Sequence, residues 1–279
     1  MKKGVLIYKD SDYRINEEFA QRFVDKCGKF GLDIEIVLES RLSYGVKSGV
    51  FYFDYDGAPA FAVNRTRNHY LANVLERCGI KVFNGSAVTR LANDKAAAYL
   101  AAAGENIPCL NTYIYAKEYA ANLRDFPAVI KQPYSHGGEK VFWCRSKSEL
   151  KEALAKIDGG YAVAQSPLTG DRINDIRVYV CGNKILAAVN RAAPQGSFKA
   201  NYKSGGGISL TEVDEVLTDY VNRFLKKHYY DFAGFDFLTS DYKNYYFNEI
   251  EDCVGSRALC ILKDIDTSEI LMRHISESV

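Results

Sequence analysis

Residues 232–251 read FAGFDFLTSDYKNYYFNEIE. Two apolar, aromatic-rich runs, 232–240 and 244–251, are parted by a polar turn around Asp241–Lys243. Runs of this kind, bounded by Ser, Asp and Asn, read as paired antiparallel strands. Side chains alternate along a strand, so Glu249 and Glu251 point one way and Asn248 and Ile250 the other. A tight hairpin then brings Asp236, set between Phe235 and Phe237, beside the two glutamates. Three carboxylates on neighbouring strands repel unless a cation sits among them. An all-oxygen donor set suits Mg²⁺, which also keeps waters and phosphate oxygens as ligands. The same row also reads as a solvated acidic sheet face; the aromatic surroundings favour the cation.

Upstream, DIRVYVCG (175–182) and KILAAVNR (184–191) meet across Gly182-Asn183, a hairpin signal. The last lobe therefore reads as an antiparallel sheet, with helices at 211–228 and 264–275. Asp175 and Arg177 share a strand face, and Arg191 ends the next strand. SFKANYKSGGG (197–207) adds Lys199, Asn201 and Lys203. A phosphate-transferring enzyme needs such cations around developing charge, although each alone also reads as a solvated surface residue.

Before that lobe, AVIKQP (128–133) is a strand ending near Lys131, followed by the small-residue loop of QPYSHGGEKV and a strand KVFWC (140–144). The ammonium and the loop N–H groups can face phosphates; an ordinary hairpin is the other reading. The loop has neither the GxxxxGK[ST] form nor a GxGxxG opening a helix, which argues against a P-loop or a Rossmann site. A helix is expected from an N-cap at Asn93 to Gly104, another over Ser146–Ile157, and a strand in AVAQSP (162–167).

The first ~90 residues alternate strand runs, GVLIY (4–8), IEIVL (34–38), GVFYF (49–53), AFAV (60–63) and KVFN (81–84), with helical patterns over 15–31 and 68–78. That alternation implies an open, mostly parallel sheet. NRTRN (64–68) follows one of these strands. Arg65 and Arg67 there can hold a carboxylate through paired hydrogen bonds, or simply form a basic turn before a helix.

Composition narrows the class. The chain has 279 residues, 47% hydrophobic and 25% charged, with a net charge of +1, an ordinary soluble profile. No basic block points to nucleic acid, and no apolar stretch reaches membrane-spanning length. The opening MKKGVLIYKDSD reads as a first strand and not a signal peptide. The seven cysteines are odd in number and contain no CxxC pair. They read as reduced thiols of a cytoplasmic protein, neither a disulfide framework nor a zinc site; Cys253, near the acidic cluster, reads as inert, with a reactive thiol as the other reading.

In this order, these features resemble the ATP-grasp ligases, in particular the RimK-like carboxylate–amine (α-L-glutamate) ligases. The resemblance runs along nearly the whole chain and is most specific from Asn93 to Gly255. It implies an α/β ATP-grasp fold: an open α/β pre-ATP-grasp domain (1–90), a small central lid subdomain (91–166) and a C-terminal antiparallel-sheet α+β subdomain (167–279) with the metal site. It implies that NDKAAAYLAAAGENIPCLNT places Lys95 on ATP phosphates, with Lys131 beside it, and that the hinge AVAQSPL reads adenine around Gln165 and Ser166. Asp175 holds the ribose, Arg177 the phosphate or acyl phosphate, Arg191 lines the reaction centre, and Lys199 and Asn201 approach the triphosphate. Asp236, Glu249 and Glu251 bind Mg²⁺, two ions by family analogy, with Mn²⁺ as a substitute. Arg65 and Arg67 face the substrate. The implied partners are a small-molecule or peptide carboxylate and an amine, one of them glutamate-like, with homo-oligomerisation left open. A non-catalytic nucleotide-binding module and a small-molecule kinase are the rival readings. Three places depart from the family pattern. The hinge has Ser166-Pro167 in place of an acidic and an aromatic residue, Glu251 stands where Asn is common, and DCVGSR replaces an Asn-Ser-Pro-Gly loop.

Overall fold

The computed structural model of the chain describes residues 1–170, 172–192, 207–263 and 265–279. Lys199, Asn201 and Lys203 lie outside the described residues. The first part contains β1 (Lys2–Tyr8), α1 (Asp10–Cys27), β2 (Leu32–Leu38), β3 (Ser43–Lys47), β4 (Val50–Asp54), β5 (Phe61–Asn64), α2 (His69–Arg77), β6 (Lys81–Phe83) and α3 (Ser86–Ala92). Four of these strands form a parallel sheet in the order β2-β1-β5-β6. The expected parallel placing of GVFYF is corrected: β4 pairs with β3 in a separate antiparallel hairpin. The two residues between them, Ser48 and Gly49, both have positive φ (52° and 80°). So short a connection can join only antiparallel neighbours.

The middle of the chain holds α4 (Lys95–Gly104), β7 (Thr112–Ala116), α5 (Lys117–Ala120), β8 (Ala128–Lys131), β9 (Val141–Cys144), α6 (Lys147–Lys156) and β10 (Tyr161–Gln165). Its strands form an antiparallel sheet in the order β7-β10-β8-β9. The cap of α4 is Asp94, not the expected Asn93; the Asp94 side chain accepts from the N–H of Ala97. Aspartate caps as well as asparagine, and its charge suits the positive end of a helix. Asn93 instead closes α3 and donates to the Thr89 carbonyl (2.8 Å) and to Asp252 Oδ1 (3.0 Å).

The last part holds β11 (Asn174–Cys181), β12 (Lys184–Ala192), β13 (Ile208–Thr211), α7 (Glu215–Leu225), β14 (Phe232–Thr239), β15 (Tyr246–Glu251), α8 (Arg257–Lys263) and α9 (Thr267–Ser278). The sheet order is β13-β12-β11-β14-β15. Gly182 and Asn183 have φ of 55° and 60°, the double left-handed turn that matches the twist of its flanking strands. The expected helix over 264–275 begins later, at Thr267, because Asp266 caps it. β11 is the central strand and is buried along its whole length. Ile176, Val178, Phe235 and Phe237 pack from one face onto Ala98 and Ala102 of α4 and Val221 and Phe224 of α7. Tyr179, Cys181 and Phe232 pack from the other face with Leu6 of β1, Phe61 of β5 and Leu271 of α9. Burial of side chains this size stabilises by roughly 1.5–3 kcal/mol each. The result is a stiff floor with the first parallel sheet set against one side of it.

Candidate active site

The strand registers place the charged row. Arg177 on β11 lies opposite Asp236 on β14, and Asp236 lies opposite Glu249 on β15. Asp175 lies opposite Arg191 on β12, and Gly234 lies between Tyr179 and Glu251. Gly234 is needed there: a Cβ would sit 2.7 Å from Val254 and 3.3 Å from the Arg177 stem. A side chain there would collide with Val254 and crowd the Arg177 stem as well.

The hydrogen bonds form one connected network. Arg177 donates from Nε to Asp236 Oδ1 (2.7 Å) and from Nη2 to Oδ2 (2.6 Å), and its Nη1 meets Glu251 at 2.8 Å. Arg191 Nη2 donates to Asp236 Oδ2 (2.5 Å) and to Asp175 Oδ2 (2.7 Å). Lys95 Nζ lies 3.6 Å from Glu249 and donates to the Ser135 carbonyl. Asp236 is 0% exposed. Burial pushes its carboxyl upward, and the guanidiniums of Arg177 and Arg191 overcome that and hold it below the usual range. Burial raises Asp175 and Glu249, opposed by Arg191 and Lys95 respectively. Positive charge among the carboxylates is thus supplied here by the guanidiniums of Arg177 and Arg191 and the ammonium of Lys95.

The donor set nevertheless fits a hard divalent ion. One oxygen each from Asp236, Glu249 and Glu251 can be chosen so that all three lie within 4.8 Å of one another. All are carboxylates, the chemistry that Mg²⁺ prefers. Each carboxylate has more acceptor sites than the guanidiniums use.

Lys131 ends β8 and is buried. Burial pulls its ammonium down to about 8, and Glu249 and Asp175 act in the opposite direction. Nζ donates to Tyr99 Oη (2.7 Å) and Asn248 Oδ1 (3.0 Å). Gln165 ends β10 and donates to Thr112 Oγ1 (2.9 Å), while the Ser166 N–H donates to the Asn111 carbonyl (2.9 Å). The expectation that the backbone around Ser166 reads a base is therefore narrowed, since its N–H is already committed.

Arg65 and Arg67 lie beside this network, at a cavity of about 390 Å³ also lined by Tyr8, Arg177, Arg191 and Glu251. Tyr8 ends β1 and Arg65 follows β5, and the chain crosses from β2 over β1 to reach β5. That is the reversal point of a parallel sheet, where ligands bind at the carboxyl ends of strands. Arg65 donates to the Cys253 and Val254 carbonyls (3.1 and 3.4 Å) and lies over the Tyr8 and Phe19 rings. Arg67 pairs with Asp12. Both therefore have structural partners as well as a place at the cavity. Cys253 is buried, which raises its thiol to about 12, as expected of an unreactive cysteine.

Tyr99, Asn248, Ser135 and Gly234 were not marked in the sequence. Tyr99 carried a signal: apart from Lys95 it is the one large polar residue in the helix KAAAYLAAAG, four residues after Lys95 and so on the same helix face. Asn248 carried the opposite signal, because strict alternation turns it away from Glu249. Between Asp236/Glu249 and the next pair, Phe237/Phe247, β15 has one residue more than β14. That bulge breaks the alternation and lets Asn248 reach Lys131.

The model of the RimK-like ATP-grasp domain matches residues 92–275. A glutamate–LysW ligase, ArgX, of Sulfurisphaera tokodaii is 28% identical over 233 residues, 80% of this chain and 83% of that one. The uncharacterized protein MG011 of Mycoplasma genitalium is 24% identical over 276 residues, 98% of this chain and 92% of that one. Among solved structures, D-alanyl-alanine synthetase A from Vibrio cholerae superposes with a TM-score of 0.74 at 14% identity, over 99% of this chain and 98% of that one. The α/β architecture with its three main sheets is thus the ATP-grasp fold expected from the sequence.

Proposed function

The chain belongs to the family of RimK-like ATP-grasp domains, and from that membership and the charged row we infer that it is an ATP-dependent, ADP-forming carboxylate–amine ligase. It activates a carboxylate as an acyl phosphate and joins it to an amine. The observation that carries this reading is the alignment of Arg177, Asp236 and Glu249 across three adjacent strands, with Glu251, Arg191 and Lys95 in contact with it.

Asp236, Glu249 and Glu251 are the residues that would hold Mg²⁺, a pair of ions with Mn²⁺ as substitute, and the metal when bound neutralises phosphate charge. Lys95, Lys131 and Arg177 grip phosphoryl oxygens. Arg191 faces the acyl group, where charge develops in the transition state. Asp175 Oδ1 is buried without a hydrogen-bond partner among the described residues, and a ribose hydroxyl would satisfy it. Gln165 and Ser166 border the base. Lys199 and Asn201 are assigned to the triphosphate by resemblance alone. Gly137 and Gly138, with φ of 62° and 76°, let the loop at 135–138 fold over the centre and exclude water from an acyl phosphate. Arg65 and Arg67 hold a substrate carboxylate at the cavity. The substrate is a glutamate-like amino acid: the arginines at the cavity support that choice, as does the similarity to ArgX, a glutamate–LysW ligase. Use of ATP and seven free cysteines fit action in the cytoplasm.

The test is phosphate release from ATP with Mg²⁺ over a panel of amino acids and peptides, followed by product mass. Release that needs both a carboxylate and an amine, with a product lighter than their sum by one water, is expected. ADP formed with the carboxylate alone, with the phosphoryl group kept on an unjoined product, would make the chain a kinase, and nucleotide binding without turnover would make it a non-catalytic module.

A further inference from the structure

We propose that Asn248 is a positioning residue that fixes the direction of the Lys131 ammonium and thereby sets how tightly the site holds nucleotide phosphates. The inference rests on the reading of Lys131 as a phosphate ligand.

Lysine carries its charge on a long flexible stem and has three N–H donors. Two of them go to Tyr99 Oη at 2.7 Å and Asn248 Oδ1 at 3.0 Å, and Tyr99 Oη lies 3.4 Å from the same Asn248 oxygen. The triangle joins helix α4, strand β8 and strand β15. With two corners of a tetrahedral ammonium fixed, the third N–H has a set direction. Both acceptors are neutral, so they orient the ammonium without cancelling its charge. A carboxylate in either place would form an ion pair and compete with phosphate. Asn248 reaches this place because it is the extra residue of the β15 bulge, next to Glu249. The same irregularity that seats the metal-site strand therefore also seats the lysine on the neighbouring subdomain.

Asn248→Leu keeps the branched side-chain shape, at a larger volume, and removes the acceptor. Calorimetry with ADP and with adenosine separates positioning from shape, because adenosine has no phosphate for Lys131 to meet. Asn248→Leu is expected to weaken ADP binding about 5- to 10-fold, the range of one lost hydrogen bond, and to leave adenosine binding unchanged. In steady state the KM for ATP should rise while the KM for the carboxylate stays level. Tyr99→Phe, which removes only the hydroxyl, is expected to give the same split and carries the test if Asn248→Leu does not fold. Unchanged ADP affinity in a folded variant, or equal weakening of ADP and adenosine, overturns the proposal and leaves the ligase reading standing. Wild-type protein that binds neither ADP nor adenosine overturns both.

Discussion

Replacing Arg177 by methionine keeps an unbranched stem and removes the charge. Asp236, at 0% exposure, accepts three hydrogen bonds, two from Arg177 and one from Arg191. The substitution leaves it one, and Glu251 loses its 2.8 Å partner. Removing one partner of a buried ion pair costs about 3–5 kcal/mol, because the remaining charge is stranded. Arg191 retains part of the compensation, so the low end, about 3 kcal/mol, is expected. An unfolding entropy of about 2.1 cal/mol/K per residue over 279 residues is about 0.6 kcal/mol/K, so Tm should fall by about 5 °C. The assay is thermal melting in EDTA at pH 7 for Arg177→Met, Asp236→Asn and the double variant. The double variant should recover a large part of the loss, since the stranded charge is gone. Mg²⁺ without nucleotide should raise the Tm of Arg177→Met more than that of wild type, because the guanidinium no longer competes for the carboxylates. A Tm for Arg177→Met within about 1 °C of wild type, or no recovery in the double variant, would refute the account of how the guanidiniums balance the carboxylate cluster.

Lys131 gives a pH signature. Burial holds its folded-state value at about 8, below the ordinary lysine value of about 10.4, so the folded chain sheds its proton first. The cost of burying the charge is full below about 8 and is lifted as pH rises toward 10.4, so stability of the free protein gains over that window. Nucleotide affinity should fall over the same window, and Lys131→Arg should flatten that fall; affinity that stays level in wild type contradicts the assignment. At the cavity, Arg67→Ala should raise the KM of the carboxylate substrate with little change in ATP affinity. Arg65→Ala should do the same and also lower Tm, because Arg65 bonds two loop carbonyls. Equal loss of ATP affinity in either variant would point to a nucleotide role instead.

The carboxylate row was legible because it depends only on strand alternation and one turn, and both are local. Asp236 and Glu249 pair as that pattern requires. The hairpin at Gly182-Asn183 was legible for the same reason. What stayed hidden depends on long-range packing or on one irregular residue. Nothing near Asn248 announces a bulge, and nothing near Gly234 announces that Arg177 must pass over it. The separate β3–β4 hairpin was misread because a five-residue apolar run looks alike in parallel and antiparallel sheets. The decisive signal was the two-residue connection at Ser48-Gly49. The charge balance of the cluster also escaped the sequence, since Arg177 and Arg191 are 59 and 45 residues from Asp236.

The central claim is that Glu249, with Asp236 and Glu251, serves phosphoryl transfer. The direct measurement is the rate of phosphate release by Glu249→Gln, which keeps size and shape and removes the charge, at saturating Mg²⁺ and ATP. Melting should show the variant folded, and Glu251→Asn should keep substantial activity with a higher Mg²⁺ requirement. Glu249→Gln should lose about 10²- to 10³-fold in rate, the scale of removing one electrostatic contact from a transition state. A Glu249→Gln enzyme that releases phosphate at the wild-type rate would contradict the account.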